Sequence, residues 1–130
     1  RTIRGDYAMN AYFGSMAAIS GALGVAAGAF GAHGLKDRVE ERMLDIWSTA
    51  AQYQLIHALA LLAVALFLGR SETTALKVAG HAFFWGTLIF SGSLYVLALS
   101  GVRWLGAITP IGGALLIGGW IALLLAVVRR

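Results

Sequence analysis

Residues 104–128 read WLGAITPIGGALLIGGWIALLLAVV, a run without a single Asp, Glu, Lys or Arg. A helix needs about 20 apolar residues to cross the hydrocarbon core of a bilayer, and soluble core helices rarely run so far without a charge. Three similar windows precede it, at residues 7–35, 46–69 and 78–102. Charged residues make up 12% of the 130-residue chain and hydrophobic ones 59%. A soluble domain carries about 25% charged residues, and a fold this small cannot hide so much apolar surface within itself. The chain is therefore read as an all-α membrane protein. It is one transmembrane domain over residues 1–130, a four-transmembrane-helix bundle with spans near 11–32, 48–68, 78–99 and 104–128.

Between the first two spans the pattern changes. Leu35, Val39, Met43, Ile46 and Trp47 recur at helical spacing, and Lys36, Asp37, Arg38, Glu40, Glu41, Arg42 and Asp45 fill the other face. This predicts a short amphipathic interfacial helix over residues 35–47, with Trp47 as an anchor in the headgroup region. The spacing allows ion pairs Lys36/Glu40, Arg38/Glu41 and Arg42/Asp45. The third connection, residues 100–103, is tight. Pro110 falls near the start of the fourth span, where its missing N–H costs little, and Thr109 is placed to cap it.

The first span carries the most regular pattern. Gly14, Gly21 and Gly28 recur every seven residues, and Gly24 and Gly31 repeat the period with an offset of three. Glycine lowers helix propensity, so a row of it on one face needs another reason, and close approach of two membrane helices supplies one. The third span holds Gly80, Gly86 and Gly92, and the fourth Gly112, Gly113, Gly118 and Gly119. Internal packing and a surface for another subunit both fit.

No acidic or basic side chain lies inside a span, whereas ion-coupled transporters and pumps bury at least one. The ionisable candidates are His33, His57 and His81. Tyr53 and Gln54 share a helix face with His57. At about 1.5 Å rise per residue, His57 lies roughly 15 Å from the turn after Leu68 and His81 only about 5 Å from that boundary. His33 closes the first span at the opposite boundary, where it is placed to cap the helix end. Ligands to one metal or haem must converge at one depth, so no metal or cofactor is expected. The polar group Tyr53/Gln54/His57 reads as interhelical hydrogen bonding, with a lipid or quinone contact as the alternative. Ser91 and Ser93, at mid-span in the third helix, bond to backbone or to a neighbouring helix. With no cysteine in the chain, disulfides and thiolate chemistry are excluded, and no nucleophile elbow, phosphate loop or zinc spacing occurs. Enzymatic activity is not expected.

The net charge of +4 comes from basic residues scattered at the ends of apolar runs, so nucleic acid is not an expected partner. With four spans, both termini lie on one side with the middle turn. That side holds Arg1, Arg4, Arg70, Lys77, Arg129 and Arg130, and the other holds Lys36, Arg38, Arg42 and Arg103. Six against four favours termini in the cytoplasm, in a bacterial inner membrane. Counted from Met9, a second candidate start, the two sides tie. Ala27-Gly28-Ala29 resembles a signal-peptidase site, but the segment is read as a retained span.

The stretch Gly28-Ala29-Phe30-Gly31-Ala32-His33-Gly34-Leu35 resembles the small membrane family known as domain of unknown function 423, found in bacteria and, in related form, in mitochondria-bearing cells. Residues 53–60 (YQLIHALA), 90–95 (FSGSLY) and 108–113 (ITPIGG) extend the resemblance across nearly the whole chain. It implies a four-helix membrane protein and places His33 and the Tyr53/Gln54/His57 group within family motifs. It implies no activity. Residues before Met9 extend beyond the family's usual start. The leading expectation is a structural or accessory subunit docking against other transmembrane helices, its own copies or a larger complex. A lipid- or quinone-binding module is the second reading, and a passive channel lined by Ser91, Ser93, Thr109 or the histidines is the third.

Overall fold

The computed structural model describes residues 8–129. Four long helices follow one another: α1 (Ala11–His33), α2 (Glu41–Arg70), α3 (Thr74–Ser100) and α4 (Thr109–Val128). A short 3-10 turn, Arg103–Ala107, precedes α4, and no strand occurs among the described residues. All four helical segments are long and apolar enough to cross a membrane. Arg1, Arg4 and Arg130, on which the orientation count leans, lie outside the described residues.

The ends of the helices have local causes. Asn10 caps α1, its side chain accepting from the Phe13 N–H at 2.9 Å, and Thr73 does the same for α3 through the Leu76 N–H. Gly101 ends α3 in the left-handed region at φ 73°, a conformation that a Cβ would strain, and its N–H donates to the Leu97 carbonyl. Ile108, the residue before Thr109-Pro110, separates the 3-10 turn from α4, and Pro110 sits in the first turn. The Thr109 hydroxyl does not cap α4. It bonds to Ser93 Oγ at 2.6 Å and ties the start of α4 to α3.

The separate interfacial helix over residues 35–47 is absent. Residues 34–40 form turns, and Glu41 begins a helix that runs unbroken into the second span. No Gly or Pro interrupts the helix between residues 41 and 68. A bend there would leave several backbone groups without partners, whereas a straight helix satisfies them. At 30 residues, α2 is about 45 Å long against a hydrocarbon core of about 30 Å, so its charged first turns project beyond the core. The turn before it is pinned by Leu35, which is buried and whose N–H reaches back to the Phe30 carbonyl. Lys36, Arg38 and Glu40 are thus off any helix, and the expected pairs Lys36/Glu40, Arg38/Glu41 and Arg42/Asp45 do not form. Among the described residues the ion pair found is Lys77–Glu72, at 3.4 Å.

In the bundle, α2 and α3 are central and α1 and α4 flank them. α1 packs mainly on α2, and α4 mainly on α3. Half of the apolar window of α2 is buried, against 17% for α1 and 22% for α4. The core combines Phe13 and Ala17 of α1, Leu61, Val64 and Ala65 of α2, Ala79 and Phe83 of α3, and Leu116 and Ala122 of α4. Phe83, Leu61 and Val64 are among its most deeply buried side chains and fill the centre. A second cluster around Leu35, Trp47 and Ala98 closes the end that carries the first and third connections.

Candidate functional site

The polar residues singled out in the spans separate into two groups. Gln54 and His57 are buried on α2 and reach all three other helices. Gln54 Nε2 donates to the Ser20 carbonyl of α1 at 2.9 Å, and its Oε1 accepts from the Tyr95 hydroxyl of α3 at 2.6 Å. His57 Nε2 accepts from the indole N–H of Trp120 on α4 at 3.0 Å. Its Nδ1 lies 2.8 Å from the Tyr53 carbonyl, one turn back on the same helix. An indole N–H can only donate and a carbonyl can only accept, so the ring is held as the neutral tautomer with its proton on Nδ1. Both polar positions of Gln54 and both nitrogens of His57 therefore have protein partners.

Tyr53, His33 and His81 do not converge on this network. The Tyr53 side chain is exposed at the bundle surface. Its ring lies nearly parallel to that of His57, with centroids 6.1 Å apart, and packs on Phe90. His33 is exposed in the last turn of α1, where a basic group faces the negative end of the helix dipole. His81 is exposed near the start of α3 and packs on Tyr12 and Phe13 of α1. Among the described residues no group of three or more His, Cys, Asp or Glu could hold a metal ion.

Further cross-links join the helices around this network. Trp47, expected at the lipid interface, is buried. Its indole N–H donates to the Ala27 carbonyl at 2.7 Å, and its ring packs on Phe30 and Tyr95. The Ser91 hydroxyl donates to the Ala50 carbonyl across α2 and α3 at 2.7 Å. The Thr87 hydroxyl is buried without a hydrogen-bond partner among the described residues. Sequence reasoning missed Tyr95, Trp120 and the inward turn of Trp47. A Trp in mid-span was the available signal for Trp120, because indoles prefer the interfaces and a buried N–H needs an acceptor.

The glycine row of α1 faces α2. A Cβ on Gly24 would meet Leu55 at 2.8 Å, and one on Gly31 would meet the Trp47 ring at 2.6 Å. Gly14 lies opposite Ala65 and Met9, and Gly21 opposite Ala58, whereas Gly28 has open space before it. The paired positions descend along α2 as they climb α1, which is the register of two antiparallel helices. The tightest approach of one helix to another at a glycine is between α3 and α4, where a Cβ on Gly112 would overlap the backbone of Phe90.

These features define a four-span α-helical membrane protein whose mid-membrane polar groups link its own helices. The chain belongs to the family described as Protein of unknown function (DUF423), which it matches over residues 27–113. A UPF0382 membrane protein of Staphylococcus epidermidis is 47% identical over 116 residues, covering 88% of this chain and 93% of the relative. The UPF0382 membrane protein YwdK of Bacillus subtilis is 42% identical over 115 residues, covering 88% and 94%. No solved structure matches this chain.

Proposed function

We propose that this protein is a non-enzymatic structural subunit of the cytoplasmic membrane, with both termini inside, that docks against another transmembrane helix through the outward face of α1. One observation carries the reading. Ala11, Ser15, Ala18, Ala22, Val25, Ala29 and Ala32 recur at alternating steps of four and three along α1, and all seven are exposed. This seam lies apart from the glycine row that meets α2. Six of the seven are Ala or Ser, with Val25 the exception, and small residues at heptad spacing let a second helix approach closely, where dispersion at short range joins helices in lipid. Acyl chains make no such demand, since they pack equally well on Leu or Ile.

The interior supports a structural role over the alternatives. Each polar atom of Gln54 and His57 already has a protein partner, which favours a role in holding the helices together over binding a quinone. Ser91, Ser93 and Thr109 bond to the protein, and Phe83, Leu61 and Val64 occupy the centre where a water path would run. The absence of native cysteine makes the test simple. Ala18→Cys or Ala22→Cys, oxidised in native membranes, is expected to give a disulfide-linked pair or a cross-link to another polypeptide. Leu124→Cys on the exposed face of α4 is expected to give neither. A strictly monomeric, partner-free protein in mild detergent, with no cross-link at either position of α1, would refute the proposal.

A further inference from the structure

At the end of the bundle formed by the first and third connections, a groove of about 290 Å³ is lined by Arg42, Met43, Ile46, Leu97, Arg103 and Gly106. We infer that this groove holds an anionic phospholipid, its phosphate between the guanidinium groups of Arg42 and Arg103 and an acyl chain on Met43, Ile46 and Leu97.

The charges point to an anion. Arg42 stands in the first turn of α2 and Arg103 opens the 3-10 turn before α4, so two different elements bring like charge to one groove. Among the described residues neither arginine lies within ion-pair distance of a carboxylate, although Asp45 follows Arg42 by one helical turn. Arg42 also sits where the helix dipole is positive, a position that disfavours a cation lacking a counter-charge. A phosphate diester removes both penalties, because a guanidinium binds it through two parallel N–H donors.

The floor points to a lipid as the source of that phosphate. The uncharged window of α2 begins at Ile46, so Arg42 lies about 6 Å above the start of the apolar span. Arg103 likewise separates the third apolar window from the fourth. The arginines thus stand at headgroup depth, and Met43, Ile46 and Leu97 lead from them toward the hydrocarbon. At this volume the groove is too small to enclose a whole drug-sized ligand. It suits the junction of a headgroup with its first methylenes, the rest of the lipid lying along the bundle.

The test uses the full chain purified in mild non-ionic detergent, with bound lipids counted by native mass spectrometry. It is titrated with phosphatidylglycerol or with phosphatidylcholine of the same acyl chains. The wild type is expected to retain phosphatidylglycerol in preference to phosphatidylcholine. Arg42→Gln with Arg103→Gln is expected to weaken that preference about tenfold, the loss of two charge-assisted contacts. Lys36→Gln with Arg38→Gln, which removes the same charge from the first connection without touching the groove lining, is expected to leave it unchanged. Arg42→Lys with Arg103→Lys keeps the charge without the planar fork and is expected to fall between. Equal retention of the two lipids by the wild type would overturn the inference, as would an equal loss in the Lys36/Arg38 control. Displacement of phosphatidylglycerol by millimolar inorganic phosphate would also overturn it, since the apolar floor would then contribute nothing. The wild-type comparisons stand even where the double glutamine variant fails to fold.

Discussion

Replacing Gly112 with alanine tests the closest helix crossing directly. A Cβ there would stand 2.7 Å from the Phe90 Cα and 2.9 Å from the Gly86 carbonyl oxygen. Carbon atoms in van der Waals contact sit about 3.5–4.0 Å apart, so α3 and α4 must separate locally by about 1 Å. The neighbours are backbone atoms of two helices, and no side-chain rotation can relieve the overlap. A gap of that size forfeits a quarter to a half of each dispersion well, at about 0.1–0.2 kcal/mol per atom pair. Taking about 40 such pairs, the number one buried side chain makes, the loss is about 2 kcal/mol, within the usual range for overpacking a filled site. The control is Gly118→Ala on the same helix, where an added Cβ meets nothing within 4 Å. Both substitutions change intrinsic helix propensity by the same amount, about 1 kcal/mol in favour of alanine, so the difference between them isolates the contact. Reversible unfolding in mixed micelles is expected to show Gly112→Ala less stable than Gly118→Ala by about 2 kcal/mol, with Gly118→Ala at or above wild type. Equal stability of the two variants would show that the glycine at the crossing is not what lets the helices meet.

Trp120→Phe removes the donor to His57 Nε2, and a double-mutant cycle with His57→Leu is expected to give a coupling of about 0.6–1.7 kcal/mol, read from the same unfolding curves. Thr87→Val replaces a buried hydroxyl that has no partner with a methyl of similar shape, and is expected to raise stability by about 1 kcal/mol. With Trp47 left as the one tryptophan, fluorescence in bilayers containing brominated acyl chains is expected to be quenched weakly. Trp85 alone is expected to be quenched strongly, because it is 51% exposed against 8% for Trp47. Strong quenching of Trp47 would return it to the lipid interface.

The polar network was half legible in the chain. Gln54 and His57 stood out because polar groups in an apolar run need partners. Which partners they have was not legible, since Ser20, Tyr95 and Trp120 lie 34, 41 and 63 positions away along the chain. Spacing along one helix says which residues share a face and nothing about what that face meets. The same limit explains Trp47. Its place at a boundary between charged and apolar residues suits an interfacial anchor, yet the carbonyl of Ala27 and the rings of Phe30 and Tyr95 draw it inward. The interfacial helix failed for a different reason. A change in surface polarity at Ile46 implies no change in backbone direction, because a helix without Gly or Pro carries its hydrogen bonds straight through it.

Solvent choice was settled by composition alone. Uncharged runs long enough to span a bilayer must lie in lipid, and their backbone groups must then pair within each segment, so helices follow at once. The glycine periodicity along one face of α1 is likewise visible in the chain alone, but not what each glycine meets: Gly24 and Gly31 stand against Leu55 and Trp47, whereas Gly28 has open space before it. Only the assembled bundle decided that this face belongs to α2, that Gly112 rather than Gly118 lies at the tightest crossing, and that the small outward seam of α1 is left over. Those outcomes depend on how each helix is rotated about its axis, and that rotation is set by which side chains of the other helices fill the space beside it.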